Sequence, residues 1–292
     1  GLIIDGCENW SNKVKAIKDY TVKFTTDEKN YYTLLRNSIK LWEIPFDKLQ
    51  ELLNDNYEKS ETYYSNVCNP QAKLLELYDI YGAYLISDHF CDNTILDSIY
   101  IPMFNLEGID GKYFEEMSYV TGKFISRFGI VDTKPLEINS KLSFRSRDYG
   151  GFVKSPIGNE HRSIRFVLFS ILCSINFITW GVDKLIVSEI PTKLRLAYIL
   201  YYYLVEQVSQ INFKLGTAFS IEDTWIDEKG LLRNCMAHYG IGSVLREEEV
   251  ILTDSFGGLT NKLFKTDWIT IKDSIIHELV HLSNQIQDYL NI

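Results

Sequence analysis

The sequence has little of what marks several classes of protein. Only 17 of its 292 residues are glycine and 6 are proline, which excludes a collagen-like or Gly/Pro-rich low-complexity chain. Its five cysteines are an odd number without a C-x-x-C pair, so we expect a reducing compartment and no disulfide scaffold. Basic residues are outnumbered by acidic ones, 30 to 39, and the net charge of −9 argues against sequence-blind coating of nucleic acid.

Long hydrophobic runs are also scarce. The longest uncharged stretch covers 17 residues, from Phe166 to Val182, and includes serine, asparagine and threonine. This is the low edge of membrane-spanning length, so the stretch predicts a buried helix. No basic region followed by an apolar one opens the sequence, which argues against a secretory signal. We therefore expect a cytoplasmic protein without a membrane partner.

Apolar and aromatic residues, by contrast, are plentiful. At 46% hydrophobic and 14% aromatic, the chain can bury a sizeable core, which excludes intrinsic disorder. Apolar residues at intervals of three and four predict an all-α or mainly α fold. The predicted helices cover about 47–57, 69–90, 161–182, 191–214, 231–239 and 268–290. A short strand or hairpin is expected within 243–253. The connector S-P-I-G near residue 155 divides a mostly helical region, 1–155, from a helical bundle, 156–292.

One candidate site lies in the last helix, where His277, Glu278 and His281 read H-E-x-x-H. Two histidines four residues apart can bind zinc, and the glutamate can activate a bound water. A catalytic zinc needs a third protein ligand, however, and no upstream residue is evident as one. The histidines also point away from the apolar stripe of this helix. We interpret them as part of a polar helix face, and a zinc hydrolase is the weaker alternative.

A second candidate site is Arg233 to His238, which reads R-N-x-x-x-H. On a helix, Asn234 and His238 share a face, and Ala237 falls between Arg233 and Asn234 around the axis. The apolar side of the helix is elsewhere. The small central residue would let another surface approach closely, and a two-fold dimer would bring two arginines and two histidines together.

The eight residues from Leu232 to Tyr239, L-R-N-C-M-A-H-Y, resemble the signature of HEPN domains (higher eukaryotes and prokaryotes nucleotide-binding). The resemblance covers about the last 135 residues. It implies a four- or five-helix bundle with the motif on a late helix. It also implies a homodimer that cleaves RNA without a metal or other cofactor, as in toxin, abortive-infection or CRISPR-linked antiviral defence. An antitoxin or another regulatory partner would then be expected.

The chemistry that the resemblance implies suits these side chains. His238 can act as general base or acid near neutral pH when the 2′-hydroxyl of RNA attacks the adjacent phosphate. Arg233 can stabilise charge on the phosphate oxygens, and Asn234 can orient His238 or the phosphate. The alternative is a catalytically inactive HEPN-like interaction or nucleotide-binding module, in which Arg233 and His238 cap a helix end.

One stretch of the sequence is basic, although the whole chain is acidic. Residues 141–165 contain six basic and two acidic residues, with aromatic residues interleaved. Basic and aromatic side chains together suit single-stranded nucleic acid, although a solvated loop is the simpler interpretation. The RNA-binding candidates are Arg145, Arg147, Lys154, Arg162, Arg165 and Tyr239.

Overall fold

The computed structural model describes most of the chain. These residues are 25–27, 44–100, 115, 118–119, 122, 135–150, 154–158, 161–238, 240–251, 254 and 256–292. For Tyr100 and His238 only the backbone is described. Within these ranges the protein is mainly α-helical, with nine α-helices and one small antiparallel sheet of three strands. The predicted mainly α class is therefore confirmed.

The described stretch that begins at residue 44 starts with two helices, α1 (Phe46–Val67) and α2 (Pro70–Leu74). The helix predicted over 47–57 is confirmed, and it continues for ten further residues. Pro70 occupies the first position of α2, where its missing N–H costs no hydrogen bond. The Asn69 side chain caps this helix by accepting from the backbone N–H of Ala72 at 2.7 Å.

A β-hairpin follows α2, so the helix predicted over 69–90 is confirmed for Pro70–Leu74 and is wrong beyond it. The hairpin consists of β1 (Asp79–Ile86) and β2 (His89–Asn93). The segment is rich in tyrosine and isoleucine, which pack well on a pleated surface. Ser87 and Asp88 both have positive φ, 45° and 71°, as a two-residue hairpin turn with right-handed strand twist requires. The helix that begins at Pro70 ends at Leu74, and the chain is extended from Asp79 to this turn.

The sheet is completed by a strand that is distant in sequence. After α3 (Thr94–Tyr100), β3 (Phe144–Gly150) pairs with the free edge of β1, giving the order β2-β1-β3. Both pairings are antiparallel, and the register of the second runs from Asp79 opposite Gly150 to Ile86 opposite Phe144.

From residue 162 onward the described elements are helices. Besides the α-helices there are a π-helical segment, Phe177–Lys184, and a short 3₁₀ turn, Glu247–Glu249. The α-helices are α4 (Arg162–Asn176), α5 (Pro191–Leu215), α6 (Leu231–His238), α7 (Ile241–Val244), α8 (Gly257–Phe264) and α9 (Trp268–Leu290). Four of them confirm the helices predicted over 161–182, 191–214, 231–239 and 268–290.

The strand or hairpin expected within 243–253 is wrong for the described residues of this segment. Glu249 explains the local turn, because its carboxylate accepts from the backbone N–H of Arg246 at 2.8 Å. The same carboxylate accepts from the Lys262 ammonium of α8 at 2.7 Å. These bonds close the chain into a 3₁₀ turn instead of extending it. Residues 252 and 253 lie outside the described residues.

The centre of the molecule is α4. Its side chains from Phe166 to Asn176 are all buried, between α9 on one side and α1 with β2 on another. Among the described residues, Arg162–Lys184 is the one helical segment that is long and apolar enough to span a membrane. However, 78% of its apolar 18-residue stretch is buried inside the protein. The predicted buried helix is confirmed.

One hydrophobic cluster extends across the connector near residue 155. Phe46 and Leu53 of α1 belong to it, as do Ile275 and Leu279 of α9. The connector itself contributes Ile157, which is fully buried. The described residues before and after the connector therefore share a core.

Candidate functional site

The motif helix α6 is positioned at its start by a carboxylate and a glycine. Asp227 accepts from the backbone N–H groups of Leu231 and Leu232, at 2.6 and 2.9 Å. These are two of the N–H groups that a helix leaves unpaired at its start. Gly230, with φ of 59°, adopts the left-handed conformation that turns the chain into the helix.

The inner side of α6 is apolar, as its sequence predicts. Leu232, Cys235 and Met236 are each at most 1% exposed and pack in the core with α5. Near the other end of the helix, Arg195 of α5 donates from Nε to the Met236 carbonyl at 2.7 Å. Both ends of α6 are therefore held, and its outer side is presented in a defined orientation.

Arg233 and Asn234 lie on that outer side. Asn234 is exposed and Arg233 is half-buried. The Arg233 Nη1 donates to Asn234 Oδ1 at 3.0 Å, so the two neighbouring side chains are in direct contact. Ala237 is half-buried beside them, which leaves a small residue where the motif predicts one.

The guanidinium of Arg233 is further fixed by two tyrosines of α5. Its Nε donates to the Tyr203 hydroxyl at 2.9 Å, and Nη2 donates to the same oxygen. The guanidinium carbon also lies 5.5 Å from the Tyr203 ring centroid and 6.0 Å from that of Tyr202. The cation is therefore oriented before any ligand binds, which lowers the entropy lost on pairing with a phosphate.

His238 is the last residue of α6, four positions after Asn234. In a regular helix, residues with this spacing lie on one face with their Cβ atoms about 6 Å apart. The backbone thus places His238 on the same face as Asn234. Its side chain, and the whole of Tyr239, lie outside the described residues.

The H-E-x-x-H residues lie on the polar face of α9. His277 and His281 are exposed, while the predicted stripe of the same helix, including Ile271, Leu279 and Ile286, is buried. Glu278 accepts from the backbone N–H of Glu222 at 3.0 Å, which ties the loop before α6 to α9. Among the residues that the structure describes, no group of three or more His, Cys, Asp or Glu side chains is arranged to hold a metal ion.

The basic RNA-binding candidates have different local environments. Arg145 and Arg147 are exposed on β3, where Arg145 is ion-paired with Asp88 of the hairpin turn. Lys154 and Arg162 both line a cleft of about 550 Å³ between α1, the sheet and the start of α4.

Arg165 has a different environment. Its Nε donates to the Ile157 carbonyl at 2.6 Å and its Nη2 to the Leu290 carbonyl at 2.6 Å. It thus holds the end of α9 against the connector. These contacts give Arg165 a structural role.

Sequence reasoning missed two features of functional interest. Tyr203 was not identified, because it meets Arg233 across two helices, 30 residues away in sequence. The cleft at Lys154 was also missed, since it forms where separated elements meet. The run of three tyrosines, Tyr201 to Tyr203, was the signal available for the first.

Comparisons with protein-family models, with curated proteins and with solved structures found no match to this chain.

Proposed function

We propose that this protein is a metal-independent endoribonuclease of the HEPN type, with Arg233, Asn234 and His238 as its catalytic residues. The observation that carries the proposal is the Arg233 guanidinium, which is held by Tyr203 next to Asn234 on the outer side of α6. A fixed guanidinium beside an amide, one helical turn from a histidine, is suited to an RNA phosphate.

The reaction follows from the chemistry of RNA. His238 removes the proton of a 2′-hydroxyl, the 2′-oxygen forms a bond to the adjacent phosphorus, and the bond to the 5′-oxygen breaks. A histidine, of this or a second protomer, returns a proton to that leaving oxygen. Arg233 stabilises the negative charge that builds up on the phosphate oxygens, and Asn234 orients Arg233 through their hydrogen bond. The products are a 2′,3′-cyclic phosphate and a free 5′-hydroxyl.

A homodimer belongs to this proposal. The outer side of α6 combines an exposed Asn234 with the small Ala237, so a second copy can approach closely there. Two protomers related by a two-fold axis would supply two arginines and two histidines to one cleft. We further propose that the protein acts in the cytoplasm, in toxin-type or antiviral defence, under control of an antitoxin or another regulator.

The decisive experiment is cleavage of single-stranded RNA by purified variants. We expect His238→Ala to lower the rate by about 10²- to 10⁴-fold, because it removes the proton-transfer group. Arg233→Lys keeps the charge but loses the planar fork, and we expect a loss of about 10²-fold. His277→Ala, an exposed histidine of α9, is the matched control and should cleave as the parent does.

Two further measurements complete the test. Cleavage should persist in excess EDTA, and thermal unfolding should show that each variant keeps its fold. If Arg233→Ala/His238→Ala cleaves RNA as fast as the parent, the ribonuclease proposal is wrong. If the parent binds RNA but never cleaves it, the inactive interaction module replaces the nuclease.

A further inference from the structure

The polar cleft lined by Lys154 and Arg162 contains none of the proposed catalytic residues. It has a volume of about 550 Å³, within the range of about 300–1,000 Å³ that is usual for small-molecule sites. It opens between α1, the β1–β3 part of the sheet and the first residue of α4. Its wall includes two cations, two carboxylates and aromatic hydroxyls, from Lys154, Arg162, Glu61, Glu76, Tyr57 and Tyr78.

The two cations of this cleft differ in their contacts. Lys154 is exposed and makes no hydrogen bond or ion pair with any residue that the structure describes. Arg162 lies over the Tyr57 ring, at 4.9 Å from its centroid. Its Nη2 is 3.8 Å from the Glu61 carboxylate, which is longer than a hydrogen bond. Lys154 is therefore open to an anionic group in the cleft, whereas Arg162 is held at the wall by Tyr57 and Glu61 and presents the exposed 42% of its side chain to such a group.

The start of α4 adds to this positive region. Arg162 is the first residue of α4, and the described first turn contains no acidic residue and no side-chain cap. The partial positive charge of the helix start therefore supplements Lys154 and Arg162. One phosphate group would match these charges.

The carboxylates limit what else the ligand can carry. Glu61 and Glu76 would repel a second anionic group, which disfavours a di- or triphosphate or a dicarboxylate. Hydroxyl groups of a ribose, in contrast, donate well to such carboxylates. Burial and the charges of both glutamates raise the pKa of Tyr78, so its hydroxyl stays protonated, and its half-buried ring offers a surface for stacking.

We infer that this cleft binds a ribonucleoside monophosphate, with its phosphate at Lys154 and Arg162, its ribose hydroxyls at the glutamates and its base against Tyr78. The cleft contains none of the proposed catalytic residues Arg233, Asn234 and His238, although Lys154 and Arg162 are also RNA-binding candidates. Its test is therefore a binding measurement that needs no RNA cleavage and can be repeated in the Arg233→Ala variant with the same expected result.

The experiment is isothermal titration calorimetry of the full chain with each of the four ribonucleoside 5′-monophosphates. We expect saturable one-site binding of at least one of them. Lys154→Gln and Arg162→Gln should each raise its dissociation constant about tenfold, as loss of a charge-assisted contact predicts. Lys141→Gln, which removes an exposed lysine outside the cleft, should leave that constant unchanged.

Inorganic phosphate, ribose 5-phosphate and a short single-stranded RNA are the comparison ligands. Weaker binding of the first two than of the nucleotide supports the assignment, whereas equal binding overturns it in favour of a simple phosphate site. The absence of saturable nucleotide binding at millimolar concentration would also overturn it. So would nucleotide binding that neither cleft variant weakens, or binding of the RNA in place of the mononucleotides.

Discussion

At the scale of single residues, the hydroxyl of Tyr203 is the contact that orients the proposed catalytic arginine. It accepts from two nitrogens of the Arg233 guanidinium, so it fixes both the position and the plane of that group. The helix periodicity of the sequence correctly placed Arg233 and Asn234 off the buried side of α6. It could not reveal Tyr203, because a contact between two helices leaves no pattern within either one.

We predict that Tyr203→Phe lowers the rate of RNA cleavage about tenfold without unfolding the protein. The ring remains in place, so packing is kept, but the guanidinium loses its orienting acceptor. Tyr202→Phe is the matched control, because the guanidinium meets Tyr202 through its ring. Single-turnover kinetics on one RNA would measure both variants. Equal rates for Tyr203→Phe and the parent would show that the hydroxyl does not position Arg233.

A second prediction at this scale concerns Asp92. Burial, together with the hydrogen bond and charge of Asp97, raises the pKa of Asp92 from 3.8 to about 7. The native state therefore holds this proton more tightly than the unfolded chain does. Its stabilising contribution is complete below pH 4 and is lost as the pH rises to 7. We expect this loss to be about 2 kcal/mol, allowing for partial solvent exposure.

Urea unfolding at several pH values between 4 and 8 measures this effect. The free energy of unfolding of the parent should fall relative to that of Asp92→Asn across this range, because the amide cannot titrate. Asp55→Asn, at an exposed position of α1, should follow the parent at every pH. Parallel curves for Asp92→Asn and the parent would show that Asp92 titrates normally.

At the scale of elements, the spacing of apolar residues correctly predicted the long helices but did not predict the hairpin. In α9, apolar residues recur every three or four positions over 23 residues, and a spacing kept over this length indicates a helix. In β1 the apolar residues are crowded, and their spacing fits a helix as well as a strand. The turn at Ser87 and Asp88 is what makes this segment a hairpin. The sequence did not reveal the turn, because neither residue is the glycine usually found at such positions.

The start of α6 gives a prediction at the same scale. Asp227 satisfies two N–H groups of this helix, and its loss should lower the free energy of unfolding by about 1–2 kcal/mol. Because α6 carries Arg233 and Asn234, we also expect slower RNA cleavage by Asp227→Ala. Asp223→Ala, in the same loop but exposed, should change neither quantity much. Urea unfolding and cleavage assays on the two variants would decide, and identical behaviour would contradict the capping role.

At the scale of the whole molecule, a group of charges around two buried lysines links the π-helical segment to α9. Lys193 and Lys272 are 2% and 4% exposed, and both contact Asp183 and Glu189. Burial opposes the charge of Lys272, but hydrogen bonds with Asp273 and Glu189 and the charge of Asp183 outweigh it and raise its pKa to about 12. Sequence reasoning did not identify this group, because Lys272 is 83 residues away from Glu189 in the chain.

We predict that Lys272→Met lowers the free energy of unfolding by about 1–3 kcal/mol, since it removes the hydrogen bonds of a buried ammonium to Glu189 and leaves Lys193 as the cation beside Asp183 and Glu189. Lys141→Met, at an exposed position, should change it by less than about 0.5 kcal/mol. Both values can be measured by urea denaturation. A loss for Lys272→Met no larger than that of the control would mean that Lys193 alone neutralises the two acids.

The central position of α4 has a consequence for dissecting the protein. Its apolar surface is covered by α1 and β2, which precede the connector near residue 155, and by α9, which follows it. A chain cut at that connector would leave each fragment with a large apolar surface and no partner to cover it. Neither half should then be obtainable alone in folded form. Co-expressed, the two should reassemble into one particle, as a split-protein complementation pair.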